Sequence, residues 1–163
     1  MPDTSTEVAI ATTTLGSSAS EIIFSSITSS YTDLKVVIVP VGATGGCRLQ
    51  FNSDTGTNYS TTSLIGTGSS AVSARATSND RISLEYWGMS ATIPTFYTAD
   101  IFSYAGSTNK TVLGRALEDL NGSGSVSVRV GLWRNTNAIT TVRLFTVGTA
   151  FQSGTTATLY GIL

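Results

Sequence analysis

The chain contains no histidine and one cysteine, Cys47, among its 163 residues. Without histidine, the Ser-His-Asp and Cys-His catalytic units cannot form, nor can a zinc site built from cysteine and histidine. A single cysteine excludes an intramolecular disulfide, so we expect Cys47 to pack as a small hydrophobic side chain. The commonest hydrolase mechanisms are excluded, and we predict a protein that is not an enzyme and that uses no cofactor or metal.

Charge and long apolar runs are also scarce. Charged residues make up 12% of the chain, against about 25% in average soluble domains, and the formal net charge is -1. Without a basic stripe, binding to nucleic acid is not expected. No apolar run approaches the ~20 residues that span a membrane, and the N-terminal segment lacks the features of a secretory signal. We therefore expect neither nucleic acid nor a membrane as a partner.

Serine, threonine and glycine are abundant, at 23, 27 and 16 residues. Small hydroxyl residues disfavour helix interiors because they compete for backbone hydrogen bonds, whereas threonine suits the pleated sheet. No segment has a helical period, and turn signals recur about every ten residues. The pattern predicts an all-β, single-domain antiparallel β-sandwich, jelly-roll-like, of about nine to eleven short strands. Residues 1–16 are expected to form an N-terminal arm and first strand, and residues 17–163 the β-sandwich domain.

Apolar runs bounded by turn residues mark the individual strands. Pro40 cannot donate to a strand ladder, so the third strand is expected to end there or to lie at an edge. The segment 66–79, rich in serine, glycine and alanine, is expected to be a long loop with at most a short strand at 72–76. The sequence stops one residue after an apolar run, which predicts a last strand central to the sheet. The predicted strands span residues 8–15, 21–25, 33–41, 47–52, 59–65, 81–87, 96–104, 110–116, 126–133, 139–147 and 156–162.

Apolar residues of these strands are predicted to form the core. The strand at 96–104 carries apolar groups on both faces, so one face is expected to meet the core and the other a partner. The residues expected to be buried are Ile22, Phe24, Val36, Ile38, Leu49, Phe51, Ile82, Leu84, Ile101, Val128, Val130, Leu132, Val142, Leu144, Leu159 and Ile162.

The loop 52–58 offers an alternative to a purely structural protein. Its oxygen-bearing side chains and one glycine resemble a calcium loop in outline. It lacks, however, the acidic residue that would supply bidentate ligation at its end. A turn stabilised by the side chains of Asp54 and Asn58 is the favoured interpretation.

Paired carboxylates offer a second alternative, because two of them facing one cleft can hydrolyse a glycosidic bond. The candidate pairs are Glu85 with Asp100 and Glu118 with Asp119. None of these residues lies in a recognisable motif. Ion pairs with arginine are therefore the favoured interpretation, and Glu118 and Asp119 are expected to lie in a solvated loop.

Aromatic and arginine side chains supply the candidates for contact with partners. Exposed aromatic rings can stack on sugars, although core or subunit packing is favoured. Seven of the nine basic residues are arginines, whose planar guanidinium pairs bidentately and is enriched at protein interfaces. The interface candidates are Phe96, Tyr97, Tyr104, Arg129, Arg134, Arg143 and Tyr160.

Five segments are distinctive and follow one another in a consistent order. They read SSASEIIFSSITSSYTDL (17–34), RLQFNSDTGTNYSTTSLIGTGSS (48–70), YAGSTNKTV (104–112), GLWRNTNAITTVRLF (131–145) and FQSGTTATLYGI (151–162). Together they resemble a family of small virion structural proteins of tailed bacteriophages, common in marine and cyanobacterial phages. The ending F-x-x-G-T-x-x-T-L-Y-G-I is the most specific part, whereas residues 1–16 and much of 71–92 lie outside the resemblance.

The resemblance implies a jelly-roll or related module, often trimeric, that is located in the virion and has no catalytic residues. The leading hypothesis is a homotrimeric capsid decoration (cement) protein that clamps neighbouring major capsid subunits, with its N-terminal arm draped over a neighbour. The alternative is a tail-fibre or receptor-binding tip that recognises host surface glycans. The expected partners are accordingly the major capsid protein or other virion proteins, with a host glycan as a further possibility.

Overall fold

The computed structural model describes residues 6–42, 45–85, 88–90 and 92–163. These residues form twelve strands and no helix, so no helix that could cross a membrane occurs among them. The all-β prediction is confirmed, with slightly more strands than expected. The strands are β1 (Glu7–Thr14), β2 (Glu21–Phe24), β3 (Asp33–Val39), β4 (Gly46–Phe51), β5 (Tyr59–Gly66), β6 (Ala71–Asn79), β7 (Ile82–Ser83), β8 (Phe96–Phe102), β9 (Lys110–Asp119), β10 (Gly124–Trp133), β11 (Val142–Val147) and β12 (Thr156–Ile162).

The strands pair in antiparallel fashion into two sheets. The large sheet has the order β1-β12-β3-β8-β9-β10-β5-β6, and the small sheet the order β2-β11-β4-β7. The first four strands of the large sheet and the four strands of the small sheet follow the strand order of a jelly roll. We call these eight strands the sandwich. The other four strands form two hairpins, β5–β6 and β9–β10, which lengthen the large sheet beyond the jelly roll, and we call them the extension.

Hydrophobic side chains of both sheets fill the space inside the sandwich. In β3, Leu34, Val36 and Ile38 are fully buried on one face, as the two-residue period of a strand requires. β3 ends at Val39, directly before Pro40, as predicted. The last strand, β12, is paired on both sides, with β1 and β3, although it lies next to the edge of the large sheet and not at its centre.

Most of the predicted core is confirmed. Cys47 is fully buried, as expected of a small hydrophobic residue, and burial raises the pKa of its thiol to about 12. Ile162 is only half-buried, because it lies three positions after Leu159 and therefore on the other face of β12. The confirmed core positions are Ile22, Phe24, Val36, Ile38, Leu49, Phe51, Ile82, Leu84, Ile101, Val142, Leu144 and Leu159.

The segment 66–79 is not the long loop that was predicted. It contains β6, which pairs with β5 from Ala71 onward and forms one edge of the large sheet. Most of the small side chains of β6 are exposed on both faces, so no hydrophobic alternation marks the strand in the sequence. Backbone pairing alone defines it.

The predicted first strand is present as β1, whereas residues 1–5 of the predicted N-terminal arm lie outside the described residues. β1 pairs with β12 along its length and forms the other edge, and the hydroxyls of Thr12 and Thr158 are 3.0 Å apart. Residues 7–14 therefore complete the sheet of their own chain and are not draped over a neighbour. In the predicted strand 81–87, only Ile82 and Ser83 form a strand, and Tyr86 and Trp87 lie outside the described residues.

Candidate interaction surface

Trp133, the last residue of β10, determines which side of that strand faces the interior. Its side chain is fully buried, with ring centroids 5.4 Å from Phe51 and 6.2 Å from Tyr59. The indole Nε1 donates a hydrogen bond of 2.7 Å to Asp54 Oδ2. Both the apolar ring and the polar N–H of Trp133 are thus satisfied on the inner face of the large sheet, the face turned toward the small sheet.

Because side chains alternate along a strand, burial of Trp133 determines which other residues of β10 face the interior and which face outward. Gly131, Arg129 and Ser127 face inward with it. Gly131 leaves space for the small sheet, since a β-carbon there would lie 2.7 Å from Cδ1 of Ile82. The alternate residues take the outer face. The prediction that Val128, Val130 and Leu132 belong to the core is therefore wrong: Val128 and Val130 are 43% and 50% exposed, and Leu132 is half-buried.

The outward residues of β10 join those of neighbouring strands in one apolar surface. Val126 is paired with Leu117 of β9, which is paired with Phe96 of β8. On the other side of β10, Val128 is paired with Leu64 of β5. We define the apolar patch as Leu64, Phe96, Phe102, Leu117, Val126, Val128 and Val130, each between 38% and 61% exposed.

The apolar patch is comparable in area to the largest apolar patch on a typical monomer, about 300–600 Å², and such patches are often functional. If a fully exposed side chain of this kind presents roughly 150–200 Å², the seven residues leave on the order of 500 Å² of apolar surface in water. Contiguous patches of that size on a monomer commonly mark interaction sites. A standard protein interface buries about 800 Å² per partner, so the patch and its polar rim suffice for one.

One ion pair lies within the apolar patch. Arg115 Nη1 donates to Asp100 Oδ2 at 2.8 Å, and the two residues occupy the outer face of β9 and β8. The pair neutralises both charges without help from a partner. An apolar surface that carries a neutral, self-contained ion pair loses little on desolvation compared with one that carries free charges.

An open cleft of ≈ 660 Å³ lies at the end of the patch, beside the turns of both extension hairpins. Phe96, Leu117 and Val126 contribute apolar walls, and the turn residues contribute the polar rim. Glu118 lies on that rim, half-buried, and burial raises the pKa of its carboxyl above the ordinary value. The cleft gives the patch a concave end that can receive a projecting side chain.

Glu85 and Asp100, the first candidate pair of catalytic carboxylates, do not face one cleft. Glu85 is buried and paired with Arg48, whereas Asp100 is on the outer face of the large sheet and paired with Arg115. Each is engaged by an arginine, as the favoured interpretation had it. Asp119 accepts a hydrogen bond from the backbone N–H of Asn121 in the β9–β10 turn. Glu118 and Asp119, which were expected in a solvated loop, are instead the last two residues of β9, and both line the open cleft.

The loop 52–58 is the predicted side-chain-stabilised turn. Asp54 accepts hydrogen bonds from the Gly56 backbone, the Asn58 amide and Trp133. Burial alone raises the pKa of Asp54, but these hydrogen bonds outweigh it and hold the pKa below its ordinary value. Both carboxylate oxygens are thereby occupied, and no cluster of three or more potential metal ligands occurs in the described part of the chain.

Four of the seven predicted interface residues lie at the surface. Phe96 belongs to the apolar patch, and Tyr160 is half-buried on the same outer face, near the opposite edge of the sheet. Arg134 is exposed and donates to the carbonyl of Thr57. Arg143 lies on the small sheet, 2.6 Å from both Glu21 Oε2 and Gln50 Oε1, with its guanidinium over the ring of Phe145.

The other three candidates are inside the protein. Tyr97 and Arg129 are buried on the inner face of the large sheet, with exposures of 1% and 8%. Tyr104 is fully buried, and its hydroxyl donates to the carbonyl of Thr28 and accepts from the N–H of Tyr31. Because these three side chains are buried within the chain, they offer no surface that a partner protein could contact.

Residues missing from the predicted set form most of the apolar patch. Leu64, Leu117 and Val126 were not singled out, and Val128 and Val130 were assigned to the core. The available signal was Trp133: a tryptophan one position out of phase with a row of valines competes with them for the interior. The aromatic ring of Trp133 is larger than a valine side chain and has a hydrogen-bond partner in Asp54, so it occupies the interior.

Comparison of the chain with protein-family models, with curated proteins and with solved structures gave no match.

Proposed function

We propose that the chain is a non-enzymatic structural subunit that assembles into a homotrimer through the outer face of its large sheet and decorates a bacteriophage capsid. The observation that carries the assembly step is the apolar patch. The placement in a virion rests on the resemblance of the five sequence segments to phage structural proteins.

The free energy of burying the apolar patch is comparable to the cost of association, which favours assembly. Burial of on the order of 500 Å² at about 25 cal/mol per Å² contributes roughly 12 kcal/mol per subunit. Association costs an estimated 4–15 kcal/mol, so the patch alone offsets much of that cost for each contact formed. Three large sheets facing a common axis bring each patch against the two others, and the ring closes without leaving a patch in water.

Sister subunits suit the composition of the patch better than a glycan does. The patch is apolar, with its one ion pair already neutral, as in interfaces between copies of one chain. Among the aromatic residues of the chain, Tyr59, Tyr97, Tyr104 and Trp133 are buried and therefore cannot stack on a sugar. Glycan recognition by a tail-fibre tip therefore has less support and becomes an outcome of the particle experiment below.

The assembly step is tested by Val130→Asp. Val130 lies in the patch and is 50% exposed, so the substitution leaves the chain folded but places a charge in the proposed interface. Light scattering after size exclusion should give a mass of three 17.0 kDa chains for the wild type and one for the variant. The matched control is Ile23→Asp, equally exposed at 49% but on the small sheet, and it should remain trimeric. A monomeric wild type would refute the assembly step.

The virion step is tested separately. Particles of a phage whose genome encodes the chain are purified, and the copy number of the chain is measured by quantitative mass spectrometry. A copy number comparable to that of the shell subunit, lost in Val130→Asp but kept in Ile23→Asp, supports decoration. A few copies per particle would point to a tail or fibre component, and none would remove the virion role.

A further inference from the structure

The inner face of the extension carries a buried cation without a counter-charge. Arg129 is 8% exposed, and its Nε is buried without a hydrogen-bond partner. Among the residues that the structure describes, the five ion pairs engage other cations, and none reaches Arg129. An arginine stays charged under all physiological conditions, so this charge cannot be removed by loss of a proton.

The neighbouring charges increase the imbalance. Arg48 is also largely removed from water, and the one buried carboxylate nearby, Glu85, is paired with it. Burial, followed by the positive charges of Arg81 and Arg129, lowers the pKa of Arg48. The interior at this place therefore holds more positive than negative charge. A buried unpaired charge costs several kcal/mol unless an ion of the opposite sign joins it.

A cleft opens beside Arg129. It has a volume of ≈ 110 Å³ and lies between the inner face of β10, β5 and β6 on one side and β7 on the other. Arg129 lines it together with Thr61, Ser63, Arg75, Asn79 and Ser83, and none of the carboxylates in the described part of the chain lines it. The Oγ1 of Thr61 is buried without a hydrogen-bond partner, so a second donor is free at the same wall.

We propose that this cleft binds a small oxyanion, phosphate, sulfate or a carboxylate, held by the guanidinium of Arg129 and the hydroxyl of Thr61. A water occupies about 30 Å³, so the cleft has room for roughly three waters or for one such anion in their place. The planar guanidinium matches the oxygens of phosphate and carboxylate groups and pairs with them bidentately. The cleft is on the opposite face of the extension from the apolar patch, so assembly through the patch leaves it open.

The test is thermal unfolding of the full chain in phosphate, sulfate or acetate, with chloride at equal ionic strength as the reference. An anion about tenfold above its dissociation constant should raise the unfolding midpoint by roughly 3–6 °C, and the rise should follow the logarithm of concentration. Comparison of phosphate and sulfate with acetate shows whether a tetrahedral or a planar oxyanion is preferred. An equal midpoint in chloride overturns the proposal.

Arg129→Gln removes the charge at similar length, and Arg134→Gln is the control that removes a charge at an exposed position. The control should keep the oxyanion response and Arg129→Gln should lose it. Without added anion, Arg129→Gln should unfold no earlier than the wild type, because an unpaired buried charge has been removed. An unchanged response in Arg129→Gln contradicts the site. Should that variant fail to fold, calorimetric titration of the wild type with inorganic phosphate decides alone: absence of saturable binding refutes the proposal.

Discussion

The strands of the sandwich and of the extension both alternate between apolar and polar residues. The apolar residues face inward in the sandwich and outward in the extension. In β3 of the sandwich, Leu34, Val36 and Ile38 face the small sheet and are fully buried. In β10 of the extension, Val128 and Val130 face outward, whereas Ser127 and Arg129 face inward. The small sheet lies against the inner face of the large sheet, whereas the apolar side of the extension is on the outer face, so that side is shielded from water only if another molecule covers it. A strand pattern thus reports two faces and leaves open which one is inside.

The largest difference in stability between the sandwich and the extension is expected from truncation of apolar side chains. Leu159→Ala in the sandwich should lower the free energy of unfolding by roughly 2–5 kcal/mol, because the residue is fully buried. Val128→Ala in the extension, where the side chain is 43% exposed, should lower it by about 1 kcal/mol or less. Denaturant titration in a Val130→Asp background measures both without the contribution of assembly. Equal losses would remove the distinction between the two regions.

Substitution of glycine by alanine should give a second, smaller difference in stability between the two regions. A β-carbon at Gly161 in β12 would lie 2.3 Å from the ring of Tyr31, so Gly161→Ala should destabilise by about 1–3 kcal/mol through overpacking. A β-carbon at Gly66 in β5 would meet Val126 at an ordinary 3.5 Å. Gly66→Ala should therefore be neutral or slightly stabilising, since it also restricts the unfolded chain. Thermal midpoints of the two variants provide the comparison, and a tolerated alanine at Gly161 would show a loosely packed sandwich.

A third difference between the two regions concerns the pH dependence of stability. Burial in the sandwich raises the pKa of the Cys47 thiol from 9.0 to about 12. Between those values the folded state binds more protons, so stability is fully present below pH 9 and is lost as pH rises, by up to about 1.4 kcal/mol per unit. Cys47→Ala should lose less stability over this window in denaturant titrations under reducing conditions. Identical pH profiles would mean that water reaches the thiol.

Glu118 is the counterpart in the extension. Its pKa is raised from 4.5 by partial burial, so its contribution is present below pH 4.5 and is lost as pH rises through the folded value. Glu118→Gln should flatten the stability profile there and leave the alkaline limb unchanged. The pH range in which Glu118 affects stability differs from that of Cys47, so one measurement of stability against pH reports on the extension and the sandwich separately.

Much of the sandwich could be predicted from local patterns. Pro40 marked the end of β3, the side chains of Asp54 and Asn58 marked a turn, and the alternation of Leu49 and Phe51 marked a half-buried strand. These features depend on neighbours within a few residues. Of β6 only a short strand at 72–76 was predicted, because its small exposed side chains carry no alternation and its pairing with β5 is a backbone interaction that composition does not report.

The candidate site was predicted only in part. Phe96 was correctly placed at the surface, and its strand was correctly described as apolar on both faces. Tyr97 and Arg129 were expected at an interface because aromatic and arginine residues are enriched there, yet both are buried on the inner face of the large sheet. Enrichment describes residue types, whereas the face of a strand depends on what packs against it.

The sequence by itself determined that the chain is all-β, where most strands lie, and that no histidine-based chemistry is available, because strand periodicity, turn residues and composition act locally. Only the tertiary structure decided which face of β10 is turned toward the interior. Burial of Trp133 against Phe51 and Tyr59, and the approach of Ile82 to Gly131, turned its valines outward and left Arg129 inside. Those contacts join residues more than 45 positions apart, so neither the apolar patch nor the buried cation follows from any single stretch of sequence.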